Sequence, residues 1–269
     1  KRMSRLAQGT VYFNDASRDL AFKIYDEVWE HGGNCFDSAH EYNAGASERV
    51  LGQWIAKHNI RDEVVIVDKG AHPHQGVNRV TPEFITSDLT GSLNHLQVDH
   101  VDVYMLHRDD PAVPVGEIVD CLNGHKQQGK ITVYGGSNWS TARIAEANAY
   151  AKANGFQPFT VSSPQMSLAR MVYPTWDGCI SVGGDDSALA WYAENDVTLI
   201  PWSSLAGGFM TGKFTRANLD TFTDYFDKVT ATAYAHEENF QRLDRARALA
   251  DKRGITLPQL ALAYVVGHP

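Results

Sequence analysis

Four side chains in the first 107 residues are of types that move protons, and each follows a β-branched or aromatic run. NCFDSAHEYN puts Asp37 at the end of an apolar stretch and Tyr42 five residues on; VVIVDKG ends in Lys69; VDVYMLH ends in His107. Each has a plain structural reading when taken singly: Asp37 as a turn cap, Tyr42 as an edge residue, His107 as a satisfied core histidine. Lys69 is the exception, because an ammonium closing a buried strand requires a partner. Together they make a proton-transfer set. Phenol is a poor acid near neutrality, with a reference pKa of about 10. A neighbouring ammonium stabilises phenolate and lowers that value. Lys69 is the expected cation, Asp37 its counter-ion, Tyr42 the proton donor to a carbonyl oxygen, and His107 a hydrogen-bond donor to the same oxygen. The carbonyl carbon must then receive hydride, which no side chain supplies, so a nicotinamide is implied.

These residues need strands that end on one face. Short apolar runs at 7–11, 33–38, 64–70, 101–107, 131–137, 159–165 and 197–204 alternate with helical patterns. Ser17 is placed to cap a helix running to about Glu30. Thr81-Pro82-Glu83 reads as an N-cap with proline at N1, Ser140 as the cap of the next-but-one helix, and Gly129 and Gly155 as helix stops. Strand–helix alternation implies parallel pairing through right-handed crossovers, in a doubly wound sheet or a (β/α)8 TIM barrel. No GxGxxG follows the first strand, which favours the barrel. In a barrel the working face lies at the C-terminal strand ends. That face would gather Asp37, Tyr42, Lys69 and His107 with Ser137, Asn138, Gln165, Trp202 and Ser203. Trp202 offers a flat face to a nicotinamide ring, and Ser137, Asn138 and Gln165 the donors and acceptors its carboxamide needs. The sequence stops where an eighth strand should begin. The expectation is a single barrel domain over 1–269, with the eighth strand and C-terminal loop absent from the residues shown.

The bulk composition narrows the class. The 269 residues are 43% hydrophobic and 21% charged, with a net charge of −8. This is globular composition, and the acidic balance argues against a nucleic-acid partner. Three cysteines, Cys35, Cys121 and Cys179, with no CxxC, read as reduced thiols in a cytoplasmic protein. No apolar run reaches the length of a membrane span, and the basic N-terminus has no signal-peptide core.

The motifs then resemble those of the aldo-keto reductase superfamily over about residues 5–269. NCFDSAHEYNAGASERVLGQW is similar to its Asp-to-Tyr signature, VVIVDKG to its lysine strand, LQVDHVDVYMLHRDDP to its histidine strand, GKITVYGGSNW to its carboxamide segment, and IPWSSLAGGFMTGK to its stacking residue and diphosphate loop. The resemblance implies Tyr42 as proton donor, with Asp37, Lys69 and His107 completing the tetrad. It implies Thr10 near the nicotinamide, Ser137, Asn138 and Gln165 at the carboxamide, Trp202 stacked on the ring, and Ser203, Leu205, Gly207 and Lys213 towards the diphosphate. It also implies NADPH as cofactor and a small carbonyl compound as substrate; no metal is assigned. Two other classes compete. A metal-dependent barrel hydrolase would draw on His72-Pro-His74 with His40 and His107, but that HxH pair falls in a turn-rich segment. A cofactor-sensing regulatory subunit resembling the potassium-channel β-subunits would share Trp202 and SSLAGG, but that branch lacks the histidine present here as His107. Substrate identity, reaction direction and oligomeric state are not written in the sequence.

Overall fold

The structure is a computed structural model that describes residues 1–268. Strands β1 (Ala7–Gly9), β2 (Cys35–Asp37), β3 (Val65–Gly70), β4 (Val101–Leu106), β5 (Ile131–Ser137), β6 (Val161–Ser163) and β7 (Thr198–Leu199) lie in one sheet in chain order. The first four pairings are parallel. A doubly wound sheet would reverse its order at a switch point; unbroken chain order is the barrel pattern. The chain forms two compact units, Lys1–Ser137 with Ala142–Val161, and Asn138–Thr141 with the residues from Ser162 onward.

In the first unit, helices α1 (Arg18–Glu30), α2 (Ala46–His58), α3 (Pro82–Leu96), α4 (Val115–Gln127) and α5 (Thr141–Ala153) follow the strands. Every residue of β3 is buried, as expected for a parallel strand covered on both faces. The Thr81 cap forms as expected, its hydroxyl accepting from Phe84 N with Pro82 in the first turn. The Ser17 cap does not form. Asn14 makes a capping box three residues earlier, on a short 3-10 turn that leads into α1. Tyr25, Phe36 and Trp54 pack edge-on or tilted at centroid distances of 4.9–5.5 Å. The Trp54 indole N–H donates to Asp26 at 2.7 Å. This aromatic block buttresses β2 beneath Asp37.

Helices α2 and α3 pass closely at Gly52, where an added Cβ would stand 2.2 Å from the Leu96 carbonyl oxygen. Gly52→Ala is expected to cost about 1–3 kcal/mol by overpacking, read as a lower urea midpoint with unchanged slope.

The second unit holds α6 (Asp186–Glu194), α7 (Tyr225–Tyr234), α8 (Glu237–Arg253) and α9 (Leu257–Gly267). Its core joins Phe209, Met210 and Phe214 to Tyr234, Phe240, Leu243 and Leu257. Here GGDDS opens α6 as expected, with Asp185 accepting from Ala188 N.

Strands β1, β2, β6 and β7 are shorter than their apolar runs by two residues or more. β1 ends at Gly9, although Thr10 N still donates to Asp37 O at 3.0 Å. β6 ends before Pro164 and β7 before Pro201, since proline brings no N–H to a ladder. No helix among the described residues is long and apolar enough to cross a membrane.

Candidate active site

The tetrad lies wholly in the first unit, and the sheet register builds it. Asp37 is the last residue of β2 and pairs with Val67, so Lys69 extends one side-chain period beyond it on β3. Lys69 is buried, and its Nζ donates to Asp37 Oδ1 at 2.6 Å and to Ser38 O at 2.7 Å. The chain beyond β2 continues along β3 by backbone bonds. Ser38 N donates to Val67 O and His40 N to Lys69 O, both at 2.8 Å; Tyr42 N then turns back to Ala39 O at 3.0 Å. His107, one residue past β4, is held by its own N–H on Gly70 O at 2.8 Å. Tyr42 therefore sits beside both groups: Lys69 Nζ is 5.1 Å from its ring centroid, and the His107 ring meets it edge-on at 5.7 Å.

The next three residues fix the position of Tyr42. Asn43, Ala44 and Gly45 are consecutive left-handed residues, at φ 51°, 51° and 80°. Two non-glycine residues in that region cost on the order of 1–3 kcal/mol each, unless the surroundings hold them there. Asn43 Nδ2 supplies the hold, reaching Val11 O at 2.7 Å, Phe13 O at 3.1 Å and Ser47 Oγ at 3.0 Å. In the sequence Asn43 stands out only as a departure from the glycine commoner at this place in the resembled family, and asparagine, like glycine, tolerates left-handed backbone.

The electrostatics differ from the expectation in one respect. Burial pushes the Tyr42 hydroxyl above the ordinary phenol value; Lys69 opposes this, through its charge and as a donor, without reversing it. The phenol is thus not made acidic: it is kept protonated, with the ammonium limiting the cost of ionisation. Burial would strip the Lys69 proton, but Asp37 and Tyr42 outweigh it and hold the amine charged. Burial, then Lys69, His72 and Arg108, depress His107 far below the usual imidazole range, so it is neutral at pH 7.

Other residues expected at the site divide between the two units. Thr10 and Ser137 are buried in the first unit, and Thr10 Oγ1 donates to Ser38 Oγ at 3.0 Å. Phe13 is buried and Tyr12 exposed. His72, outside the tetrad, packs edge-on against His107 at 4.7 Å, with its Nδ1 at 2.8 Å from Pro73 O. His74 turns instead toward Glu41, at 3.8 Å, so the HxH pair does not converge.

The second unit holds Asn138, Gln165, Trp202, Ser203, Leu205, Gly207 and Lys213. Asn138 Oδ1 accepts from Ile180 N at 3.3 Å and from the Trp202 indole N–H at 3.2 Å. Both lone pairs are then used. Gln165 is buried with both ends tethered: Ser181 Oγ donates to Oε1 at 2.6 Å, and Nε2 donates to Ser167 Oγ at 2.9 Å. Each end retains capacity for one further bond. The amides of Asn138 and Gln165 and the partly exposed, hydrogen-bonded indole of Trp202 are side chains of the kinds that suit the edge and face of a nicotinamide. The segment after Trp202 is a run of tight turns, with Ser203, Ala206, Gly207 and Gly208 all left-handed. Gly207 is required by packing, since an added Cβ would meet Thr230 Oγ1 at 2.4 Å. Lys213 is exposed and its Nζ is held by both Asp227 oxygens at 2.6 Å.

Comparison with known proteins bears on the family and the fold. The sequence profile of the Aldo/keto reductase family matches residues 5–269. An uncharacterized oxidoreductase of Bacillus subtilis, YrpG, is 28% identical over 281 residues, covering all of this chain and 81% of the relative. Among solved structures, a glycerol dehydrogenase from Gluconobacter oxydans superimposes with a TM-score of 0.79 at 22% identity, over all of this chain and 80% of that one. An aldo/keto reductase from Klebsiella pneumoniae, solved with NADP and acetate, gives 0.73 at 24% identity, over 99% of this chain and 78% of that one. These two likenesses show the fold, the (β/α)8 barrel type. The profile match spans nearly the whole chain, and the chain belongs to the aldo/keto reductase family.

Proposed function

We propose that the protein is an NADPH-dependent reductase of small aldehydes or ketones, with Tyr42 as the proton donor. One observation carries this reading: Tyr42 stands beside a buried, charge-locked Lys69–Asp37 pair and a neutral His107. The bound nicotinamide supplies the hydride. Tyr42 holds a proton at its hydroxyl for the oxygen of the substrate, where negative charge develops. Lys69 limits the rise in energy of the phenolate left behind, and Asp37 keeps the ammonium charged and aimed. His107, being neutral, offers one ring N–H to the same oxygen without introducing a second cation. Trp202, Asn138 and Gln165 are the residues proposed to hold the nicotinamide ring, joined by Ser137. Thr10, Ser203, Leu205, Gly207 and Lys213 are proposed further along the cofactor; a diphosphate at Lys213 would have to compete with Asp227. NADP in the Klebsiella pneumoniae relative supports the choice of dinucleotide.

The test is loss of reduced-nicotinamide absorbance over a panel of aldehydes, ketones and sugars, with NADPH and NADH in parallel. The reading expects turnover with at least one carbonyl class and a higher kcat/KM with NADPH. No turnover across the panel, with cofactor binding intact, would contradict it.

A further inference from the structure

A second cluster of polar side chains, around the buried Glu48, lies where the Asp37–Tyr42 loop meets α2 and α3. It plays no part in the proposed reaction. His40 comes from the loop, Glu48 from the first turn of α2, and His95 from the last turn of α3. One potential ligand atom from each lies within 4.8 Å of the other two. His95 Nδ1 is 2.8 Å from Glu48 Oε2, His40 Nδ1 is 4.0 Å from the same oxygen, and the two imidazoles lie nearly parallel at 5.6 Å. The space they occupy is kept by glycines. A Cβ at Gly45 would come within 2.3 Å of the His95 ring, and one at Gly91 within 2.6 Å of the His40 ring.

A hydrogen-bonded His95–Glu48 pair is the simpler account, but it leaves too much unsatisfied. Glu48 is fully buried, and its Oε1 has no partner; nor has His40 Nδ1. Asp68 and Ser92, both fully buried, face the same carboxyl and lower the cost of its charge, and neither Asp68 oxygen nor Ser92 Oγ is satisfied by any other group. Each buried, unsatisfied polar group costs about 1–3 kcal/mol. Arg79 and Arg49, whose charges reach the cluster, are themselves paired with Asp88 and Asp15. The cluster is therefore rich in lone pairs that no side chain satisfies.

We propose that His40, Glu48 and His95 bind a divalent transition-metal cation of the zinc class. Two imidazoles and a carboxylate are a common set for such ions, with metal–ligand distances of about 2.0–2.2 Å. A cation placed among the three draws the His40 ring inward and takes the place of the shared His95–Glu48 proton; His95 carries its proton on Nε2 instead. The partly exposed edges of His40 and His95 give the ion a path in. Because His40 N is bonded to Lys69 O, the cation fastens the loop between Asp37 and Tyr42 to two helices.

The test uses chelator-stripped protein titrated with zinc and with cobalt(II), by calorimetry and by the visible absorption of bound cobalt. One equivalent is expected, with a raised Tm in excess metal. His95→Gln and Glu48→Gln are expected to weaken zinc by about 100-fold or more, whereas His74→Ala leaves it unchanged. Circular dichroism of the metal-free variants establishes that they fold. X-ray absorption of the wild-type zinc form, which should report two imidazoles and a carboxylate, serves if they do not. No binding, affinity that survives both substitutions, or a different ligand set overturns the assignment.

Discussion

Tyr42→Phe is expected to lower kcat by about 10²–10⁴-fold while leaving the Kd for NADPH close to wild type. The substitution removes one oxygen from a ring whose position is set by other means. The left-handed turn at Asn43–Gly45 and the Asn43 bonds to Val11 and Phe13 are untouched. Phenylalanine therefore keeps the ring against His107 and Lys69 and deletes the proton alone. Fluorescence quenching on cofactor binding measures the affinity, and steady-state turnover the rate. A variant that turns over normally removes Tyr42 from the chemistry.

Lys69→Met acts on both reaction and fold. It leaves the Asp37 carboxylate, with a side chain 21% exposed, without its 2.6 Å partner. Removing one member of a largely buried pair costs about 3–5 kcal/mol, and Asp37's remaining contact with solvent places the expected loss near the lower end. The effect on the reaction has the same origin. Burial already raises the phenol, and Lys69 is the largest opposing influence. Without it the Tyr42 pKa moves further up, the proton is given up less readily, and kcat is expected to fall about as far as in Tyr42→Phe. A melting curve and a rate on the same preparation separate the two losses: urea midpoint for the ion pair, turnover in the folded fraction for the chemistry.

Much of the site was legible because a buried strand is a poor place for charge. Asp37, Lys69 and His107 announce themselves by ending apolar runs, and chain-order pairing puts those ends side by side. The strand limits were less legible where proline interrupts the ladder, as at Pro164 and Pro201. The direction of the Tyr42 shift was not readable at all. Lys69 predicted a lowered value, but desolvation depends on atoms from several elements, and it wins. The hold that Asn43 exerts was not readable, because its work is done by a backbone conformation and by contacts to a loop some 30 residues away in sequence. The His40, Glu48 and His95 group was missed for a similar reason. His95 lies 47 residues beyond Glu48, a separation no motif encodes, and only the close passage of α2 and α3 brings them together.

The central claim is that a phenol kept protonated by burial delivers the proton. The direct measurement is the single-turnover rate of carbonyl reduction against pH, in wild type and in Tyr42→Phe. A donor must carry its proton to act, so the rate falls as pH rises through its pKa. With that value above the ordinary phenol figure of about 10, the wild-type rate is predicted to stay level from about pH 6 to 9 and to decline only beyond, and the decline is predicted to vanish in Tyr42→Phe. A wild-type rate that falls near neutrality, or an alkaline limb that persists without the hydroxyl, would contradict the account.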